Sequence, residues 1–121
     1  MTIKFSLENK NIGIFHVSGK LGKDELEQAQ NECEAAIKNF GSIKILVVLD
    51  NFQGWEKSKG WEDLSFQERN DPYINKMAIV GDKEWEDLAY AFTVKDLRPV
   101  PIEYFGEGQE NAARTWLDSD S

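Results

Sequence analysis

At the start of the chain Ile3, Phe5 and Leu7 alternate with Thr2, Lys4, Ser6 and Glu8, the period of a strand with one face in water. Asn9-Lys10-Asn11 supplies turn chemistry before a second run over 12–17, so the first two strands form a hairpin. From Leu26 the period changes. Ala29, Cys33, Ala36, Ile37 and Phe40 recur at spacings of three and four, which puts them on one helical stripe with Glu25, Glu27, Glu32 and Glu34 off it. Gly41 stands where a helix end favours a left-handed residue.

Ile43-Lys44-Ile45-Leu46-Val47-Val48-Leu49-Asp50 is a nearly unbroken apolar run, the pattern of a strand buried on both faces. It ends on Asp50 and opens into an aromatic, Gly-punctuated loop, Asn51-Phe52-Gln53-Gly54-Trp55. In open α/β sheets ligands bind at the carboxyl ends of such strands, so this loop is the first candidate site. A short stripe predicts a helix over 61–70, stopped by Pro72, and Met77-Ala78-Ile79-Val80 predicts a strand closed by Gly81. Asp82 is a natural N-cap for a third helix, on which Trp85, Leu88, Ala89 and Phe92 share a face. Lys95 and Arg98 complement the dipole at its end, and Pro99 terminates it. Residues 100–105 form a last strand that Pro101 suits to a sheet edge. A closing helix over 108–117 carries Ala112, Ala113 and Trp116 on one side. The order β-β-α-β-α-β-α-β-α predicts one α/β domain over 1–117, a mixed β-sheet covered by helices, with 118–121 as a frayed polar tail.

The balance of charge narrows the partners. With 121 residues the chain suits one self-sufficient core, and a net charge of −8 repels polyanions, so nucleic acid is not expected as a partner. Lys57 with Lys59 and Lys95 with Arg98 are pairs rather than stripes and read as solvated surface charge. No apolar run approaches the length of a membrane span and no signal-peptide core follows Met1, so a cytoplasmic location is expected. One cysteine and one histidine leave no basis for an internal disulfide or a zinc cluster, and no cofactor motif is present.

No set of residues demands one reaction. Gly106-Glu107-Gly108 followed by Asn111 lacks the third glycine and the βαβ context of a dinucleotide fingerprint, and reads as a turn. Cys33 lies in the helical stripe beside Glu32 and Glu34, an environment opposite to that of a reactive thiol. His16 alternates with Ile12 and Ile14 and reads as an interior or rim residue. It and Asp50 are the only acid/base candidates, and spacing does not bring them together, so no catalytic residues are assigned. Asp50 reads as the residue that shapes the loop or touches a ligand. Phe52, Trp55, Trp61, Phe66 and Tyr73 crowd into a segment that would ordinarily be polar. The resulting expectation is a non-enzymatic binding domain with Asp50, Phe52, Trp55, Trp61 and Phe66 around a small apolar or amphipathic ligand. A regulatory protein partner using the same aromatic surface is the alternative, and a second copy of the chain could cover its Trp-bearing helices.

Leu49-Asp50-Asn51-Phe52 with Gly54-Trp55, Trp61-Glu62-Asp63-Leu64, Val80-Gly81-Asp82-Lys83-Glu84-Trp85 and Ala112-Ala113-Arg114-Thr115-Trp116-Leu117 together resemble the SpoIIAA-like proteins. These are small bacterial relatives of the STAS domains of sulfate transporters and anti-sigma-factor antagonists, grouped also with the CRAL-TRIO fold. The resemblance implies a mixed sheet with packed helices. In the antagonists an Asp-Ser-Ser-Gly-like segment after the third strand is phosphorylated to switch a partner. This chain has Glu56-Lys57-Ser58-Lys59-Gly60 in that region, without the motif, so Ser58 is a phosphorylation candidate by position alone.

Overall fold

The protein is described by a computed structural model over residues 3–9, 11–57, 65–93 and 98–119. Strands β1 (Ile3–Glu8) and β2 (Ile12–Leu21) form the antiparallel hairpin that the alternation predicts, and Phe5 stands opposite Phe15. Helix α1 (Lys23–Phe40) then crosses one face of the sheet, which lets β3 (Ile43–Trp55) pair parallel to β2. Helix α2 (Ser65–Asn70) precedes β4 (Ile74–Gly81), and α3 (Glu86–Phe92) precedes β5 (Ile102–Gly106), both strands again parallel to their neighbours. The sheet runs β1-β2-β3-β4-β5 and α4 (Glu110–Asp118) closes the chain. Among the described residues no helix is long and apolar enough to cross a membrane.

Alternation along the inner strands feeds two separate cores. Ile43, Ile45, Met77, Ile79 and Ile102 join Ala29, Cys33 and Ile37 of α1 and Ala89 of α3 on one face. Leu46, Ala78 and Val80 meet Ala113 and Leu117 of α4 on the other. A strand that is dry on both sides has no polar face to show, which is why 43–49 reads as an unbroken apolar run. The edge placement expected for the last strand holds, and its Tyr104 N–H donates to the Tyr90 hydroxyl at 2.9 Å instead of lying open.

The structure departs from the expected elements at several places: β2 runs on to Leu21, and α3 ends at Phe92 with Thr93 as its C-cap, so Arg98 lies beyond the helix instead of in its last turn. Residues 51–55 are strand, not loop, because β3 continues beside β2 until Leu21 stands opposite Trp55. The third helix opens with a 3-10 turn, Lys83–Trp85, capped by Asp82, whose Oδ1 accepts from Glu84 N–H at 3.0 Å. Asp118, expected in the polar tail, completes α4 instead, and Ser119 holds a buried lysine, while residues 120 and 121 lie outside the described residues. That lysine, Lys76, donates to Trp116 O at 2.9 Å, to Ser119 O at 2.8 Å and to Ser119 Oγ at 2.7 Å. It places its charge at the helix's negative end, 4.9 Å from the Trp116 ring.

The continuation of β3 depends on two left-handed residues. Between Ser18 and Gly19 on β2 the partner strand advances from Asp50 to Phe52, and between Gly19 and Leu21 it advances from Phe52 to Trp55. Each shift inserts one extra residue on β3, and Asn51 (φ 53°) and Gly54 (φ 97°) supply the conformations that such bulges need. An alanine at 54 would be forced into the region that L-residues avoid. Gly54→Ala should therefore lower stability by about 1–3 kcal/mol in urea unfolding, whereas an unchanged midpoint would show the bulge to be unstrained.

Cys33 provides a second test. Burial first, and the Glu34 charge second, push its thiol up from 9.0 to about 12. The folded state thus keeps a proton that the unfolded chain releases, so this group's contribution to stability is complete below about pH 9 and is lost as pH rises towards 12. Under mildly alkaline conditions Cys33 should resist a thiol reagent in the native protein and react at once in denaturant.

Candidate functional site

The bulges decide where the aromatic residues point. Strict alternation after Leu49 would send Phe52 to the face opposite Leu49, and Trp55 opposite Phe52. The extra residue at Asn51 brings Phe52 back to the Leu49 side, and the one at Gly54 does the same for Trp55. Both side chains join the core that lies under α1 and α3. Phe52 meets Trp55 edge-on with centroids 5.0 Å apart, and Trp85 lies 5.0 Å from Phe52 and 6.1 Å from Trp55. Phe92 of α3 completes the group at 5.1 Å from Trp55. These separations and tilts fall within the range that aromatic quadrupoles favour, so the four rings brace one another as a rigid wall.

Beneath that wall is a cavity of about 120 Å³ between the sheet and helices α1, α2 and α3, partly open to solvent. Its floor is Phe15, Val17, Ile45, Val47, Leu49, Met77 and Ile79, and its sides include Leu26 of α1, Phe66 of α2 and Ala89 with Phe92 of α3. Polar groups enter only as Gln30, Gln67, Thr93 and Arg98. The volume is on the scale of the ~150 Å³ apolar cavity that accommodates benzene in an engineered lysozyme. A ring or a short branched chain fits, and a longer tail would have to leave through the open side.

Arg98 is the residue that the sequence misplaces. Read as solvated surface charge, its side chain is only 5% exposed, and it grips Asp71 in a two-point pair, Nε to Oδ2 at 3.0 Å and Nη2 to Oδ1 at 2.6 Å. Its Nη1 also donates to Thr93 O at 3.3 Å, satisfying the carbonyl end of α3. Fork geometry and three bonds make the burial of this charge tolerable. The pair joins the 3-10 turn Asp71–Tyr73, which precedes β4, to the segment before β5, and so holds one end of the cavity.

Of the residues expected at the site, Phe52, Trp55 and Phe66 border the cavity. Asp50 does not: it lies on the other face of the sheet, its side chain 61% exposed. Trp61 and Ser58 lie outside the described residues, as do Asp63, Lys59 and Lys95. Sequence reasoning missed Leu26, Gln30 and Phe92, although each occupies the inward stripe of its helix. It had no local signal for Arg98, whose partner is 27 positions away.

His16, expected at the interior or rim and apart from Asp50, is exposed and beside it. The parallel register sets Ser18 opposite Asp50 and His16 opposite Val48, which leaves His16 Nε2 4.0 Å from Asp50 Oδ2. At 51% and 61% side-chain exposure the pair is immersed in water, which screens it and encloses no substrate. Among the described residues no group of three or more His, Cys, Asp or Glu side chains could hold a metal ion.

Comparison with known proteins agrees with this architecture. An uncharacterised protein with a SpoIIAA-like fold from Shewanella loihica PV-4 superposes with a TM-score of 0.70 at 22% identity, over 95% of this chain and 91% of that one. No curated protein matches. The SpoIIAA-like family profile matches residues 12–118. With the five-stranded mixed sheet and its helices in place, the chain belongs to the SpoIIAA-like family.

Proposed function

We propose that this protein is a non-enzymatic binding domain that holds a small apolar or amphipathic molecule in the cavity under Phe52 and Trp55. The cavity itself carries the reading. Protein interiors close up to crystal-like density, whereas here a partly open hollow of about 120 Å³ is left among apolar side chains. The rings that could have filled it instead pack on one another and leave the space below them free. Apolar walls with a few polar groups at the margin are the usual make-up of a small-molecule site.

A partner-switching role through the same aromatic residues fits less well. Phe52 is buried and Trp55 packs against three other rings, so neither presents a flat docking face.

Native mass spectrometry of gently purified protein, followed by thermal unfolding with a panel of aromatic and branched-alkyl probes, tests the proposal. A ligand present at 100 times its dissociation constant should stabilise the fold by about 2.7 kcal/mol. Ala89→Phe, which projects a ring into the cavity from α3, should stay folded and lose that response. A wild-type protein that carries no extra mass and responds to no probe would overturn the proposal.

A further inference from the structure

Among the described residues four polar side chains line the cavity, and two of them are unpaired. Thr93 Oγ1 donates to Ala89 O at 2.8 Å and to Tyr90 O at 3.3 Å. Arg98 is committed to Asp71 and to Thr93 O. Gln30 of α1 and Gln67 of α2 are half-buried, and neither side-chain amide has a hydrogen-bond partner among the described residues. Trp55 Nε1 lacks a partner too, but it is sealed from the accessible surface and faces no molecule that the cavity could hold. The glutamines are the uncharged polar groups that a guest can reach.

Helix packing fixes both of them at this margin. Leu26 lies one turn before Gln30 and also lines the cavity, and Glu34 lies one turn after it, so the three share one stripe of α1. Glu34 accepts from Arg69 Nε at 2.9 Å and from Asn70 Nδ2 at 3.0 Å, and Asn70 Nδ2 also donates to Phe66 O at 2.9 Å. Those bonds fasten α1 to α2 directly beside Gln30 and Gln67. The two amides thus approach the cavity from helices whose spacing is set by other residues.

Charge and hydrogen-bonding capacity define what pairs with them. No carboxylate belongs to the described residues that line the cavity, so a cation finds no counter-charge there. An anion finds none either, because Asp71 already neutralises Arg98 through two hydrogen bonds. Each glutamine amide holds donors on nitrogen and an acceptor oxygen in one plane. A guest that only accepts leaves the glutamine carbonyls unanswered, and a hydroxyl, with both functions on one atom, cannot make two parallel bonds. A carboxamide presents the same planar donor and acceptor and pairs with a glutamine through both at once.

We infer that the molecule held here is an uncharged carboxamide with an aryl or branched-alkyl body, which lies on the apolar floor while its amide pairs with Gln30 and Gln67 at the margin between α1 and α2. This rests on the cavity being a ligand site. The apolar floor then sets the size of the guest, and the two glutamines select its polar end.

Benzamide, acetophenone and benzoate have nearly the same shape and differ in what stands beside the carbonyl: an amino group, a methyl group or a charged oxygen. Gln30→Met and Gln67→Met keep an unbranched, helix-favouring side chain and remove its amide. Each should lower the affinity for benzamide relative to acetophenone by roughly fivefold, while the unliganded variants melt close to wild type. Benzoate should bind wild-type protein at least roughly tenfold more weakly than benzamide. In isotope-labelled wild-type protein benzamide should also move the side-chain amide resonances of Gln30 and Gln67, a readout that needs neither variant to fold. If acetophenone binds but those resonances stay in place on addition of benzamide, or both substitutions leave the affinity ratio unchanged, the inference fails and the cavity remains a binding site. Tightest binding by benzoate would also overturn it. If none of the three binds, the cavity is not a ligand site and the inference falls with it.

Discussion

Two extra residues in one strand govern the molecule. Up to Asp50, β3 obeys simple alternation: Ile45, Val47 and Leu49 face α1 and α3, and Leu46 and Val48 face the side that α4 covers. Asn51 and Gly54 each interrupt that count, so that Phe52 and Trp55 return to the Leu49 side while Asp50 is left on the other. A bulge costs a ladder position and some backbone strain, and it re-aims side chains by half a period. Here the re-aimed side chains are the two largest near the strand's carboxyl end. Without the insertions the rings would face water and the space under α3 would have no wall.

The two faces of the sheet consequently differ in character. On the α4 side, Ala113 and Leu117 close directly onto Leu46, Ala78 and Val80, and the buried Lys76 fastens the end of the helix. On the opposite side α1 closes onto the sheet through Ala29, Cys33 and Ile37, and an aromatic group and an ion pair are added at the α3 end, both of which keep elements apart as well as together. Phe52, Trp55 and Trp85 brace one another edge to face, Phe92 lies tilted against Trp55, and the Arg98–Asp71 fork pins the segments that follow α3 and precede β4. Removing one member of such a buried pair leaves a stranded charge, so this end of the cavity is held more rigidly than apolar contacts alone would hold it. A rigid wall and a rigid end are what a preformed pocket requires, and they connect the packing of this face to its proposed use.

The His16–Asp50 contact shows the converse. Parallel register brings two chemically capable side chains within 4.0 Å, yet nothing covers them, and water takes up most of the interaction. Proximity without enclosure has little chemical consequence. The cavity, by contrast, is lined almost wholly by apolar side chains, with Arg98 the one charged residue among the described ones that line it.

Local period made most of the architecture legible: alternation marked β1 and β2, spacings of three and four marked α1 and α3, and the double-sided apolar run marked β3 as central. These signals depend on a residue's neighbours along the chain, so sequence alone determines them, and the motifs at Gly81 and Trp85 pointed to the family. Tertiary structure decided the rest. Asn and Gly at 51 and 54 carry the same local signature in a loop and in a bulged strand, and only pairing with β2 distinguishes the two. The burial of Arg98 depends on Asp71, and the wall of the cavity on rings contributed by β3, the turn after β4 and α3. Contacts between residues far apart in sequence leave no period behind, and vacant volume, being a property of how elements fail to close on one another, is written in no single segment.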